Sequence, residues 1–378
     1  MSEYNLSSIK VQVDSNSVAT AILDMPESSA NVLTEGLFAE LDHLFSDLEK
    51  RDDLRGLVLL SAKRNIFVAG ADLKRIHRTL DWPDEKIIQF CEDGRMVMSR
   101  LSRMPFATVA AIHGACVGGG LELTLWCDYR VVADDKRTVL GLPEVKLGLV
   151  PGWAGTVRLP RLAGLENGID LIASGRLVTA KQSLEMGFVD QIAELESLES
   201  AAKDLTLSAS LEDLKNLRRA ILGPVQPVSD IDALHRRSIE RVEQNSETFS
   251  FAPKIVVNHL VESSSLDHDA ACHRESLAMA AVYGSEPNYG LLNNFFLGEH
   301  NKKNPGFVDL KLAVREFKKV GIVGAGTMGL GVARACAQSR FDVVVLDAAE
   351  DVVRRAKVAL LDEGLNEKAD LKFTQQYA

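Results

Sequence analysis

The run Gly118-Gly119-Gly120-Leu121-Glu122 sits between a stretch that reads as a strand, 107–112, and a helix expected from about Leu121. Glycines at a strand-to-helix turn let the backbone pack closely and leave main-chain N–H groups open at the helix start. Such a turn belongs to a chain in which strands and helices alternate, and the flanking sequence alternates in that way. Residues 8–24 place Ile9, Val11 and Val13, then Val18, Thr20 and Ile22, at every second position around Ser15-Asn16-Ser17, which predicts a hairpin. Thr34 can cap a helix whose apolar positions Leu37, Leu41, Leu44 and Leu48 follow helical spacing. Residues 56–60 then read as a buried strand, and 129–133 as another.

Between about 195 and 305 the β signal fades and helical stretches dominate, at 198–214, 231–242 and 270–296. Pro305-Gly306 marks a boundary, after which 319–323 reads as a short strand opening a second glycine pattern. Three segments are therefore expected: an α/β domain over 1–194, a helical connector over 195–310 and a last α/β unit over 311–378. The 378 residues, with 46% hydrophobic and 25% charged content, suffice for two or three packed units. A formal net charge of −10 disfavours nucleic acid and anionic membrane as partners. Five scattered cysteines without CxxC spacing fit a reducing compartment, and no window approaches the roughly 20 apolar residues of a membrane span. A cytoplasmic protein is the expectation.

Glu122 and Glu144 stand 22 residues apart, the second on the Pro143-stiffened loop Gly141-Leu142-Pro143-Glu144. If the loop closes on the glycine turn, two carboxylates share one apolar pocket; one can then accept a proton while the other donates. An oxygen that becomes negative in the reaction would be met by main-chain N–H groups, each contributing about 3 kcal/mol in a dry site. Gly119 offers one such N–H at the positive end of its helix, and Ala71, in the turn Ala69-Gly70-Ala71-Asp72, is the candidate for the second. Lys74 offers charge to a phosphate. Taken singly, each glutamate and Lys74 also reads as a solvated surface charge, while His113, Cys116, Cys127 and Trp126 read as packed core residues.

The strings Ala69-Gly-Ala-Asp72, His113-Gly-Ala-Cys-Val-Gly-Gly-Gly-Leu-Glu122, Cys127-Asp-Tyr-Arg130, Gly141-Leu-Pro-Glu-Val-Lys-Leu-Gly148 and Pro151-Gly-Trp-Ala-Gly-Thr-Val-Arg-Leu-Pro160, in this order, resemble the enoyl-CoA hydratase (crotonase) superfamily. More narrowly, they are similar to the hydratase part of multifunctional fatty-acid oxidation α subunits. The resemblance implies a ββα spiral domain that hydrates trans-2-enoyl-CoA. Ala71 and Gly119 would bind the thioester oxygen, and Glu122 and Glu144 would handle water and proton. Ala69, Gly70, Asp72, Lys74, Gly118, Pro143 and Trp153 would line the acyl-CoA site, CoA being part of the substrate and no cofactor being required. Ala154 departs from the glycine usual in relatives, and Trp153 fills an aromatic place with a larger ring, which bears on acyl-chain length.

The second pattern, Gly324-x-Gly326-x-x-Gly329, follows a strand, opens a helix and precedes a strand ending in Asp347, 18 positions beyond the last glycine. Together these make a dinucleotide fingerprint, with Asp347 at the ribose hydroxyls. The stretch resembles the opening of the NAD domain of 3-hydroxyacyl-CoA dehydrogenases. At most one βαβ unit and a following helix are expected before Ala378, an incomplete Rossmann unit in which NAD binding is doubtful and oxidation of the hydroxyacyl product is not expected. A Δ3-Δ2-enoyl-CoA isomerase stays open as an alternative, as does an NAD-responsive assembly module. The partners implied are an acyl-CoA, with a thiolase subunit or a second copy of the chain.

Overall fold

The computed structural model describes residues 6–245, 251–303, 317–367 and 369–375, and the chain divides into two compact units, 1–303 and 304–378. Among its described residues the first unit has, in chain order, ten strands: β1 (Ile9–Val13), β2 (Val18–Leu23), β3 (Gly56–Ser61), β4 (Ile66–Val68), β5 (Ala107–Ile112), β6 (Ala115–Val117), β7 (Tyr129–Ala133), β8 (Val139–Gly141), β9 (Val178–Thr179) and β10 (Gln191–Ala193). The expected hairpin is β1–β2, paired antiparallel from Ile9↔Leu23 to Val13↔Ala19.

Six strands form one sheet in the order β1-β2-β3-β5-β7-β10, parallel from β2 onward. A second sheet runs β4-β6-β8-β9, with β4, β6 and β8 parallel to one another. Each long strand is thus followed within a few residues by a short one in the other sheet and then by helix: β3 by β4 and the helix Leu73–Arg78, β5 by β6 and Gly119–Leu125, and β7 by β8 and the 3-10 turn Glu144–Leu147. This repeated ββα unit is the spiral the sequence implied. Because β4, β6 and β8 are adjacent and parallel, the three loops leaving their carboxyl ends are neighbours, and those loops carry Ala69–Asp72, Gly118–Glu122 and Pro143–Glu144.

The helices beyond residue 195 belong to the same compact unit as the sheets. The helix Leu198–Ser208 covers Val18, Val58, Val109 and Val131 of the large sheet with Leu198 and Ala202. At Gly56 the approach is so close that an added Cβ would lie 2.6 Å from Thr206 Cβ. The helix expected over 198–214 is two helices, because Ser210 caps a new one, Leu211–Leu222, by accepting from Asp213 N. Similarly, 270–296 divides into His268–Val282 and Glu286–Lys303 at Gly284, whose φ of +67° ends a helix. The helix His268–Val282 packs on Asp84–Ser99, and Phe251–Ser263 packs on Leu165–Ser174.

The second unit is a parallel sheet in the order β11 (Lys319–Val323), β12 (Asp342–Leu346), β13 (Leu371–Thr374), with helices Thr327–Gln338 and Glu350–Asp362 in the crossovers. Its described residues hold one strand more than the single βαβ unit expected. β13 is four residues long, with only Leu371 and Phe373 apolar, so its pattern in the sequence is faint. Among the described residues no helix is long and apolar enough to cross a membrane.

Candidate active site

Three loops build the site. The first is anchored by Asn31, a fully buried amide whose Nδ2 donates to Leu23 O, Ser61 Oγ and Phe67 O while its main-chain oxygen accepts from Ala69 N at 2.8 Å. Leu33 N then donates to Gly70 O, which fixes the turn that presents Ala71. Asp72 caps the next helix, accepting from Lys74 N and Arg75 N, and Lys74 stands exposed on its first turn. The second loop reaches Gly118 with φ +55° and ψ −134°, a conformation open to glycine, and starts the helix at Gly119. As first helical residue Gly119 has no intrahelical acceptor for its N–H. The two turns touch: a Cβ on Gly70 would lie 3.8 Å from Gly119 N.

Glu122 lies one helical turn beyond Gly118, its N–H donating to Gly118 O, and is 2% exposed. Its Oε1 accepts from Trp153 N at 2.7 Å and Gly155 N at 2.8 Å. The third loop brings Glu144 to the same place from behind Pro143. A Cβ on Gly118 would lie 2.9 Å from Glu144 Oε1, so a side chain there would press on that carboxyl as well as strain a backbone of φ +55°. Glu144 is half-buried as a residue, yet its Oε2 is buried without a hydrogen-bond partner among the described residues. A proton or a water must meet such an oxygen, or its burial costs free energy. Burial pushes Glu144 up to about 8, with the charge of Glu275 adding. Burial, then the charges of Glu144 and Glu275, holds Glu122 well above the usual carboxylate range. Two carboxyls raised in one pocket beside open N–H groups can take a proton from one atom of a bound molecule and return one to another.

The ring of Trp153 closes the pocket from the side. Its Cζ3 would lie 2.4 Å from a Cβ on Gly119, and Phe38 and Phe90 pack around it with ring centroids at 4.9 and 5.5 Å. Outside, Asp72, Arg75, Arg78 and Trp82 line an open cleft of about 430 Å³. There Arg75 pairs with Glu35 and lies over the Phe90 ring at 4.9 Å.

Nothing in the sequence pattern marks Asn31, Arg95 or Glu275 as part of the site. Glu275 is fully buried, with Arg95 Nη1 at 3.8 Å. It accepts from Ala154 N, Thr156 N and Thr156 Oγ1. Its neighbours Arg274 and His273 make it look like one more surface position of a helix, and only the packing against Asp84–Ser99 reveals otherwise.

The sequence pattern described as enoyl-CoA hydratase/isomerase matches residues 14–253. The chain belongs to the enoyl-CoA hydratase/isomerase family. Residues 319–378 match the NAD-binding domain of 3-hydroxyacyl-CoA dehydrogenase. Among solved structures, human mitochondrial Δ3-Δ2-enoyl-CoA isomerase is 22% identical, with 78% of this chain and 99% of that one covered and a TM-score of 0.54. An enoyl-CoA hydratase from Bacillus halodurans is 19% identical, covering 76% and 100%, with a TM-score of 0.53. An enoyl-CoA hydratase/isomerase from Mycobacterium paratuberculosis is also 19% identical, covering 77% and 100%, with a TM-score of 0.53. At these identities the likeness is one of fold.

In the second unit the glycine residues lie at the carboxyl end of β11. Gly324 has φ +97°, and a Cβ on Gly329 would lie 1.7 Å from Gly324 O, so the turn needs glycine at both. Open space lies over Gly324 and Gly326. Asp347 follows β12 directly and accepts from Ala325 N at 2.7 Å, which brings its carboxylate to the glycine turn. These residues fit the adenosine and pyrophosphate half of a dinucleotide.

Proposed function

We propose that the chain adds water across the 2,3 double bond of a trans-2-enoyl-CoA to give a 3-hydroxyacyl-CoA. The observation that carries this reading is the Glu144 carboxyl lying against Gly118, close enough to raise the buried Glu122 carboxyl one helical turn on, beside the N–H of Gly119. Both carboxyls have work in a hydration. One takes a proton from water as its oxygen bonds to C3, and the electrons of the double bond move to the thioester oxygen as an enolate. The N–H groups of Ala71 and Gly119 hold that oxygen, and the other carboxyl gives the proton that forms the C2–H bond. Arg75 and Arg78, which line the cleft beside Asp72, and the exposed Lys74 of the same helix supply positive charge for the phosphates of CoA.

Shifting a 3,4 double bond into conjugation needs only one carboxyl moving a proton between C4 and C2, and uses the same oxyanion donors. Incubating the chain with trans-2-enoyl-CoA and, separately, with cis-3-enoyl-CoA distinguishes the two. Hydration of the first at a higher kcat/KM than isomerisation of the second is expected; turnover of the cis-3 compound alone would contradict the proposal. In the second unit Gly324, Gly326, Gly329 and Asp347 would hold the adenosine side of NAD, whose nicotinamide supplies hydride acceptance when bound; we assign these residues binding only.

A further inference from the structure

We propose that Glu275 is a positioning residue for Glu122: the two carboxylates hold alternate N–H groups of one strap, Trp153-Ala154-Gly155-Thr156. Trp153 N and Gly155 N donate to Glu122 Oε1, whereas Ala154 N donates to Glu275 Oε1 at 2.7 Å and Thr156 N to Glu275 Oε2 at 2.9 Å. The left-handed Ala154, φ +76°, divides four successive N–H groups between two acceptors. Thr156 Oγ1 adds a 2.5 Å contact to Glu275 Oε2 and a 2.8 Å contact to His259 Nε2. Arg95 Nη1, facing Glu275, also donates to Gly152 O, so the strap is tied at its start as well. A displaced Glu275 moves Ala154 and Thr156, and with them the two donors that fix the Glu122 carboxyl. The helix His268–Val282 is therefore part of the reaction apparatus although none of its residues need touch substrate.

A role in stability alone accounts poorly for this arrangement, because a buried ion pair is commonly matched or bettered by apolar residues of similar volume. Charge gives the test its sign. The groups facing the pair are Glu144 from its 3-10 turn, Arg95 and Cys91 from Asp84–Ser99, Arg161 from Gly155–Ala163, His259 from Phe251–Ser263, and Cys272 beside Glu275. Burial raises both thiols and lowers His259 to about 4, so these three are neutral near pH 7 and the two arginines are positive. Removing the negative charge of Glu275 makes Glu122 and Glu144 easier to ionise; Arg95 acts on them through Glu275, whose ionised carboxylate it favours.

The inference rests on the hydratase reading, and the experiment separates the two. Steady-state hydration of trans-2-butenoyl-CoA is measured across pH for the full chain and for Glu275→Gln and Arg95→Gln. Infrared titration of the buried carboxyl band accompanies it, with Glu122→Gln assigning the band. For Glu275→Gln, kcat should fall about 10- to 100-fold with KM within about threefold. Both limbs of its pH profile should move down by about half a unit or more, and those of Arg95→Gln, which loses the charge that favours ionised Glu275, should move in the same direction. A folded Glu275→Gln with wild-type kcat and unmoved limbs overturns the inference. If that variant does not fold, Arg95→Gln decides alone, unmoved limbs overturning it. A wild-type chain that hydrates nothing would remove the reaction reading; the infrared band of Glu122 then decides, its midpoint expected lower in Glu275→Gln and the inference overturned if it does not shift.

Discussion

The Trp153 ring lies edge-on against Gly119, leaving no room there for even a methyl group. Under the proposed reaction the acyl chain leaves the thioester beside that glycine, so the indole limits the space for it. Trp153 Nε1 has no hydrogen-bond partner among the described residues, and replacing the ring with a smaller one forfeits no bond. Trp153→Phe should raise the ratio of kcat/KM for a ten-carbon over a four-carbon enoyl-CoA about tenfold, the worth of roughly two buried methylenes. An unchanged ratio in competition assays would place the acyl chain elsewhere.

Glu144 ties stability to pH. A carboxyl raised in the folded state to about 8 from an ordinary 4.5 keeps a proton that the unfolded chain has already released. Stability is therefore fully present below about 4.5 and declines as pH rises toward 8, by about 3 kcal/mol once discounted for partial exposure. Thermal unfolding should show Glu144→Gln losing less Tm than wild type between pH 6 and pH 9, by a few degrees. Parallel curves for the two proteins would show that Glu144 titrates normally.

Arg218, on the helix Leu211–Leu222, makes two 2.7 Å bonds to Asp128 and also donates to Met104 O and Phe106 O. Asp128 is buried and accepts from Thr108 N and Oγ1 as well. Arg218→Met leaves that carboxylate short of its countercharge and should destabilise the first unit by about 3 kcal/mol in denaturant titrations. Hydration per folded molecule should stay within about twofold. A loss below about 1 kcal/mol would mean that the helix is an appendage to the strands.

The long elements were legible in the sequence because each carries its own periodicity: alternation in Ile9–Leu23, helical spacing from Leu37 to Leu48, glycine after a strand at Gly118. The short strands β4, β6 and β8 were not, since three residues hold no period and their partners lie tens of residues away. Yet they are what makes neighbours of the loops bearing Ala71, Gly119 and Glu144. Glu122 and Glu144 could be picked out because glycine and proline flank them. Glu275 could not, because its burial depends on Arg95 and on a strap more than a hundred residues away.

The pairing of the Glu122 and Glu144 carboxyls is tested most directly by the single-turnover rate of water addition to trans-2-butenoyl-CoA in Glu122→Gln and Glu144→Gln, each checked for wild-type substrate affinity. Each variant should lose at least about 100-fold relative to wild type. A rate within a few-fold of wild type in either variant, with binding intact, would contradict the paired acid and base.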